Sequence, residues 1–369
     1  MKIGIPRELK AGERRVGLDP AAVAALVADG HRVWIESGAG LAIGRSDLDY
    51  RALGADIGGS EDVWSAELIV KVKEIQPGED ARLKPGQTVF GYQQLVGAPH
   101  MTCALAARGA SAIAFELVRD PQGAYPLLSP MSVVAGKMAI LVGAQLLLSP
   151  EGNGALLAAS EGVEGARVLV LGAGSAGLAA LRVALSLGAR ASLLTRSQAS
   201  CDAARVALGA HVEAAVATRE ALEAYALGAD LVVGAVRLAS APTPKLLSRA
   251  LVSRMQRGAV IVDVSIDGGG VAETSRPTTH ANPTYVEHGV VHYCVPNMPA
   301  AAPRASTQAL SAAVLPFARE LAAKGVARAL RDNAGLRAAL LLWNGRVADP
   351  LLASEAGLAY TPIRDGDLA

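Results

Sequence analysis

Apolar residues in this chain come in short runs, broken at close intervals by glycine or by a polar turn. Residues 3–5 read as a strand, and residues 20–29 as a helix with Gly30 as its stop. Residues 31–36 read as the next strand, closed by Ser37-Gly38-Ala39-Gly40. Runs at 68–72 and 88–92 predict two more strands. Residues 99–108 predict a helix, with its proline tolerated at the first helical position. Residues 111–116 complete the series as a strand. Strands alternating with helices predict a parallel sheet covered on both faces.

The pattern repeats in the second half. Residues 132–148 predict a long apolar helix, followed by a strand at 166–171. Directly after that strand comes Gly172-Ala173-Gly174-Ser175-Ala176-Gly177, which opens an Ala/Leu-rich helix running to Gly188. A further strand is expected at 191–195. This strand, glycine turn, helix and strand is the context a dinucleotide site requires. Gly172 permits the tight turn, Gly174 lets the backbone approach a pyrophosphate, and Gly177 lets the helix pack on the strand. Ser175 and Ala176 start the helix whose N-terminus faces the phosphates. Strands are expected at 230–235, 259–264 and 290–294, then a long helix at 307–325. The tail from Val326 reads as helical segments that return to the first domain.

The expected fold is therefore α/β: two doubly wound, Rossmann-like parallel-sheet domains joined by long helices, with a cleft where their strand ends face each other. Residues 1–126 plus 305–369 are expected to form the substrate (catalytic) domain, and residues 127–304 the NAD(P)-binding domain. An NAD site usually carries Asp or Glu about 20 residues after the glycines, on the ribose 2′-hydroxyl. Here the segment is Thr195-Arg196-Ser197. No acid repels a 2′-phosphate, and Arg196 can hold one with hydroxyl assistance from Thr195 and Ser197. The expected cofactor is NADP(H), with NAD(H) possible.

Composition narrows the class. The chain has 369 residues, 51% hydrophobic and 19% charged, with a formal net charge of +1. That is enough apolar material for two cores, and it makes no case for nucleic acid or a membrane surface. Cys103, Cys201 and Cys294 are too few and too widely spaced for a disulfide framework or a metal set, so no metal is expected. Met1-Lys2-Ile3-Gly4-Ile5-Pro6 reads as an opening strand and not a signal sequence, and no apolar run spans a membrane without interruption. The expected location is cytoplasmic.

Several further stretches carry a resemblance. They are Ile5-Pro6-Arg7-Glu8, Glu13-Arg14-Arg15-Val16, Lys71-Val72-Lys73-Glu74, Pro126-Leu127-Leu128-Ser129-Pro130-Met131-Ser132, Val262-Asp263-Val264-Ser265-Ile266-Asp267, Pro277-Thr278-Thr279-His280 and Asn297-Met298-Pro299. Together they make the chain, over essentially its whole length, resemble L-alanine dehydrogenase and the related N-terminal part of nicotinamide nucleotide transhydrogenase. The resemblance implies that Arg15 and Lys73 clamp the carboxylate and carbonyl oxygen of a 2-oxo acid. It implies that Asp267 lies by the reacting centre, and that Ser132, Val236, Val264, Asn297 and Met298 line the nicotinamide side. It also implies a homo-oligomer, from dimer to hexamer. One position departs: where the dehydrogenases carry a catalytic His, this chain has Gln94, in Phe90-Gly91-Tyr92-Gln93-Gln94-Leu95. Val133 likewise replaces a Glu.

Gln donates and accepts hydrogen bonds but does not exchange a proton near neutral pH. Oxidative deamination needs a proton shuttle for water attack and carbinolamine collapse. Reduction of a preformed imine needs hydride and one proton. The expected activity is therefore hydride transfer between NADP(H) and an amino, imino or 2-oxo acid other than alanine, with Lys73 and Asp267 as the remaining titrating partners. Two alternatives stay open. One is a genuine alanine dehydrogenase that uses Asp267 and water. The other is a non-catalytic nucleotide-binding module of the transhydrogenase kind.

Overall fold

A computed structural model of the chain describes residues 1–210, 212–238 and 242–368. They divide into two compact units, Met1–Met131 with Ala300–Ala369, and Ser132–Pro299. In chain order the first unit opens with β1 (Lys2–Ile5), β2 (Arg32–Glu36), β3 (Asp56–Gly58), β4 (Leu68–Val70), β5 (Thr88–Gly91) and β6 (Ser111–Ala114). The second unit holds β7 (Arg167–Leu171), β8 (Arg190–Thr195), β9 (Glu213–Val216), β10 (Leu231–Gly234), β11 (Val260–Asp263), β12 (Thr284–Glu287) and β13 (Val290–Tyr293). The chain then adds β14 (Leu340–Trp343) and β15 (Arg346–Val347) to the first.

The first sheet runs β15-β14-β6-β5-β4-β1-β2-β3, and the second β12-β13-β11-β10-β7-β8-β9. Both are parallel apart from one edge, β14–β15 in the first and β12 in the second. In each sheet the first strand of the winding sits mid-sheet, and the chain moves outward in one direction and then the other. The switch points fall between β1 and β4, and between β7 and β10. Ligands of open α/β sheets bind beyond the carboxyl ends of strands at such points.

The strand sequences explain the layering. In β7, Val168 and Val170 enter one core with Leu193, Val233 and Val262. Leu169 and Leu171 enter the core on the opposite face with Leu194, Val232 and Ile261. Side chains alternate between faces along a strand, so a strand buried on both faces needs an unbroken apolar run. β4, β5, β10 and β11 are likewise buried along their whole length.

Several elements differ from the sequence reading. The long helix Ser129–Leu147 starts earlier than expected, and the unit boundary falls within it. It is also long and apolar enough to cross a membrane by length and composition, despite Lys137. Its glycines argue for a packed helix: a Cβ at Gly136 would lie 2.0 Å from the Ala176 carbonyl oxygen, and one at Gly143 would lie 2.5 Å from the Leu231 side chain. The chain leaves the second unit through a 3₁₀ turn, Met298–Ala301, and not through a long helix. The tail does return to the first unit, but it contributes β14 and β15 as well as helices. Leu340–Trp343 is a short continuous apolar run, which periodicity alone does not separate from helix. The strand expected at 111–116 stops at Ala114 and turns into a 3₁₀ segment, Phe115–Leu117.

Candidate active site

The glycine turn in the second unit has the shape its spacing requires. Gly172 sits at φ 104°, and a Cβ there would meet the Ala235 carbonyl oxygen at 2.5 Å. At Gly177 a Cβ would lie 1.9 Å from the Gly172 carbonyl oxygen, so the helix Ser175–Ser186 packs against the turn because that residue has no side chain. Gly174 differs: a Cβ there would meet nothing within 4 Å. It is the N-cap of that helix and offers no side-chain cap. The turn thus presents backbone facing open space at a helix N-terminus, a setting that fits a pyrophosphate. The residues present fit a nicotinamide dinucleotide.

The other residues expected on this side come from the carboxyl ends of neighbouring strands. Thr195 ends β8 and is buried, and Arg196 is exposed. The Ser197 hydroxyl accepts the Ser200 N–H at 3.3 Å, so it serves as a helix cap. Val236 follows β10, and its N–H donates to the Ser265 hydroxyl at 2.8 Å. Val264 and Ser132 are half-buried, and Asn297 adopts φ 57° in the turn after β13. Met298 is buried in the core, where its side chain packs with other apolar residues. Asp267 is exposed in the 3₁₀ turn Ile266–Gly268 after β11.

The first unit brings Arg15 and Lys73 to the carboxyl ends of β1 and β4. Neither is a solvated surface residue: Arg15 is 3% exposed and Lys73 6%. Glu13 holds the Arg15 guanidinium as a fork, with Nε donating to Oε1 at 2.7 Å and Nη2 to Oε2 at 2.6 Å. Nη1 lies 3.0 Å from the Met131 Sδ. Lys73 Nζ stands 5.9 Å from the centre of the Tyr92 ring. Burial pushes its pKa below the usual lysine range, and the cations Arg15 and Lys10 push it the same way. The Tyr92 hydroxyl donates to the Leu127 carbonyl at 2.6 Å, and its ring meets Phe115 edge to face. Gln94 follows β5, is exposed, and has φ 45°.

The two halves of the chain match the N-terminal (residues 4–135) and C-terminal (residues 139–350) domains of alanine dehydrogenase/PNT. The chain belongs to the alanine dehydrogenase/PNT family. It is 45% identical to an alanine dehydrogenase of Halomonas elongata over 363 residues, 98% of both chains. It is 40% identical to one of Bacillus subtilis over 365 residues, 98% of this chain and 96% of that one. Among solved structures, an L-alanine dehydrogenase superposes with TM-score 0.92 at 39% identity, covering 96% of this chain and 98% of the other. A transhydrogenase from Sinorhizobium meliloti superposes with TM-score 0.83 at 24% identity, covering 94% of this chain and 100% of the other, a likeness of fold.

Within this family frame, the sequence reading passed over four acids that organise the site loops. Glu8 is the first: its carboxylate accepts the Val72 N–H at 2.6 Å and the Lys73 N–H at 3.3 Å, and it lies 3.7 Å from Lys71 Nζ. Burial raises its pKa to about 7 against the pull of Lys71. Glu13 is the second. The third, Glu116, accepts N–H groups from Gln93 and Gln94. The last is Asp263, buried, which accepts the Ser265 and Val271 N–H groups and the Ser275 hydroxyl. It shapes the loop that carries Asp267. Glu8, Glu13 and Asp263 lie within the stretches that carry the resemblance, and nothing about their spacing marks their roles. Among the described residues, no group of acids, histidines and cysteines forms a metal site.

Proposed function

We propose that this chain is a nicotinamide-dependent oxidoreductase acting on the C–N bond of a small 2-amino acid, with alanine and pyruvate as its first candidate pair. The observation behind this reading is the burial of Arg15 and Lys73 together at the switch point of the first sheet, in a chain that aligns end to end with alanine dehydrogenases. Similarity at that level favours alanine over the other amino and imino acids that Gln94 alone brings to mind.

The roles follow from the side chains. Arg15, oriented by Glu13, is the guanidinium that meets a substrate carboxylate. Lys73 polarises the 2-oxo or imino carbon's heteroatom. Its lowered pKa also brings it nearer the range in which an amine gives and takes protons. Gln94 orients the substrate or a water by hydrogen bonds. Asp267 supplies a carboxylate by the reacting centre. The dinucleotide, when bound, supplies or accepts the hydride. Gly174 lets the backbone approach its pyrophosphate, Gly172 and Gly177 form the turn and the packing behind it, and Ser132, Val236, Val264, Asn297 and Met298 form the nicotinamide side. The absence of an acid at Thr195-Arg196-Ser197 supports NADP(H) over NAD(H), with Arg196 on the 2′-phosphate.

Gln94 carries a second reading: the substrate is a preformed imine, for which hydride and one proton suffice. Steady-state assays of NADH and NADPH oxidation with pyruvate plus ammonia, and with a cyclic imino acid, test both. Turnover of pyruvate at roughly 10 s⁻¹ or more, ordinary for an enzyme on its own substrate, supports alanine. Faster reduction of the imino acid supports the second reading. No turnover of any carboxylate substrate, or an unimpaired Lys73→Ala variant, overturns the proposal. Arg196→Ala is expected to weaken NADPH by about 1–3 kcal/mol, the scale of a charged hydrogen bond, and to leave NADH alone.

A further inference from the structure

The loop after β5 contains a backbone conformation that its sequence does not favour. Among the described residues, four non-glycine residues have positive φ: Gln94, His288, Asn297 and Asn344. Asn and His enter the left-handed region with local help, but Gln has no such preference. Something outside the loop must hold Gln94 there.

Glu116 is that group. It stands in the 3₁₀ turn after β6, the strand beside β5. Its Oε1 accepts the Gln94 N–H at 2.8 Å, and both its oxygens lie within 3.2 Å of the Gln93 nitrogen. Two successive N–H groups thus converge on one carboxylate, which requires the chain to bend at that point. The loop has little other freedom. Gln93 is 1% exposed, and Tyr92 is fixed through its hydroxyl to Leu127. A Cβ at Gly91 would meet the Lys71 carbonyl oxygen at 2.5 Å, so this loop abuts the one that carries Lys73. Glu116 and Lys73 attract each other across that junction.

We propose that Glu116 is the positioning residue for Gln94: its carboxylate holds the left-handed turn and so fixes where the Gln94 side chain stands relative to Lys73. The inference rests on the functional reading above, in which Gln94 orients the reacting group. Glu116 acts through the backbone and touches no substrate.

The test uses five proteins: the parent, Glu116→Ala, Glu116→Gln, Gln94→Ala and the double variant Glu116→Ala/Gln94→Ala. Misplacing a catalytic group by about 1 Å costs on the order of 100-fold. The kcat of Glu116→Ala is therefore expected to fall roughly 10- to 100-fold, with the KM for NADPH unchanged. Glu116→Gln keeps an acceptor oxygen and should retain more activity than the alanine variant. The double variant should be no slower than Gln94→Ala, since the two residues act as one unit. Multiplying losses, or parent-like kcat in Glu116→Ala, would overturn the proposal. Amide hydrogen exchange supplies an arm independent of turnover: protection at Gln93 and Gln94 should be lost in Glu116→Ala, and unchanged protection would also overturn it. If the parent itself turns over no carboxylate substrate, the functional reading fails while the exchange arm still decides the role of Glu116.

Discussion

Gly174 and Gly177 belong to one motif, yet the structure assigns them different physical duties, and alanine substitution separates the two. At Gly174 the backbone is extended, with φ −75° and ψ −178°, and a methyl group would meet nothing within 4 Å. Replacing Gly by Ala at such a position gains about 0.4–1 kcal/mol by restricting the unfolded chain. Ala is a poorer N-cap than Gly by a similar amount. Stability should therefore change by no more than about 1 kcal/mol, a shift of roughly 2–4 °C in Tm for a unit of this size. On the proposed reading, the methyl would enter the open space where the backbone meets a pyrophosphate. Crowding of that kind costs about 1–3 kcal/mol, or roughly 5- to 150-fold in Kd.

Gly177→Ala behaves differently. Its Cβ would fall 1.9 Å from the Gly172 carbonyl oxygen and 3.3 Å from Val170 Cγ1. Backbone must move, which takes the penalty to the top of the overpacking range, about 3 kcal/mol. Better helix propensity returns about 1 kcal/mol, leaving a net loss near 2 kcal/mol and a Tm lower by roughly 4–8 °C. Calorimetric melting of both variants, with NADH and NADPH titrations followed by nucleotide fluorescence, reads both quantities. Gly174→Ala should melt like the parent and bind weakly, while Gly177→Ala should lose both. A Gly174→Ala protein that binds either dinucleotide with parental affinity would refute the close-approach argument. Equal melting of the two variants would refute the packing argument.

Two further predictions concern buried charge. Lys71 Nζ and Glu79 Oε2 are 2.6 Å apart with both side chains all but sealed from solvent, so Glu79→Gln should cost about 3–5 kcal/mol by stranding the lysine, read as a lower denaturant midpoint. A loss under about 1 kcal/mol would mean that Glu8 alone neutralises it. His292 is buried with Nδ1 at 3.0 Å from the Val290 carbonyl and Nε2 at 2.8 Å from the Thr274 hydroxyl, and burial lowers its pKa. The unfolded state then takes up the proton first, so the His292 contribution is intact above about 6.5 and is lost as pH falls below that value. Glu8, raised to about 7, works the other way and destabilises as pH rises toward that value. The difference in urea stability between parent and His292→Gln at pH 7.5 and 5.5 isolates the histidine, and a pH-independent difference would refute the assignment.

What could be read from the chain alone follows from the kind of constraint each residue obeys. The glycine turn was legible because its requirement is local: a positive φ, a close approach and a helix start, all within six residues. The two windings were legible because strands buried on both faces demand continuous apolar runs. Arg15 and Lys73 became recognisable only as part of a family pattern, since a charged residue at a strand end looks like a surface residue until its burial is seen. Glu8 and Glu116 stayed hidden for a different reason. Glu8 caps N–H groups more than sixty positions away, and Glu116 caps a turn on the neighbouring strand. Parallel winding makes those contacts, and no spacing along the chain encodes them. β14 failed because four consecutive apolar residues carry no period.

Gln94 leaves the site without an imidazole at the end of β5, and the question is where the proton goes. Lys73 has its proton loosened by burial, Arg15 and Lys10. Glu116, on the neighbouring loop, has its carboxyl pushed up by burial. Glu116 holds the Gln94 backbone and touches no substrate, so on the proposed reading Lys73 is the amine that gives and takes the proton. Such a route would be slower than one with a group titrating near neutrality. Placing that group at position 94 should then help. General acid–base assistance is typically worth about 10²–10⁴ in rate. Gln94→His is therefore expected to raise kcat for pyruvate amination by roughly tenfold or more, the parent's own route absorbing part of the gain. It should also add an ionisation near 6.5 to the pH profile, where an unperturbed imidazole titrates. A variant that folds and binds the dinucleotide like the parent, yet shows neither the gain nor the new ionisation, would refute the proton argument. The lysine would then be the site's sufficient acid, and Gln94 a residue selected for the shape of its substrate.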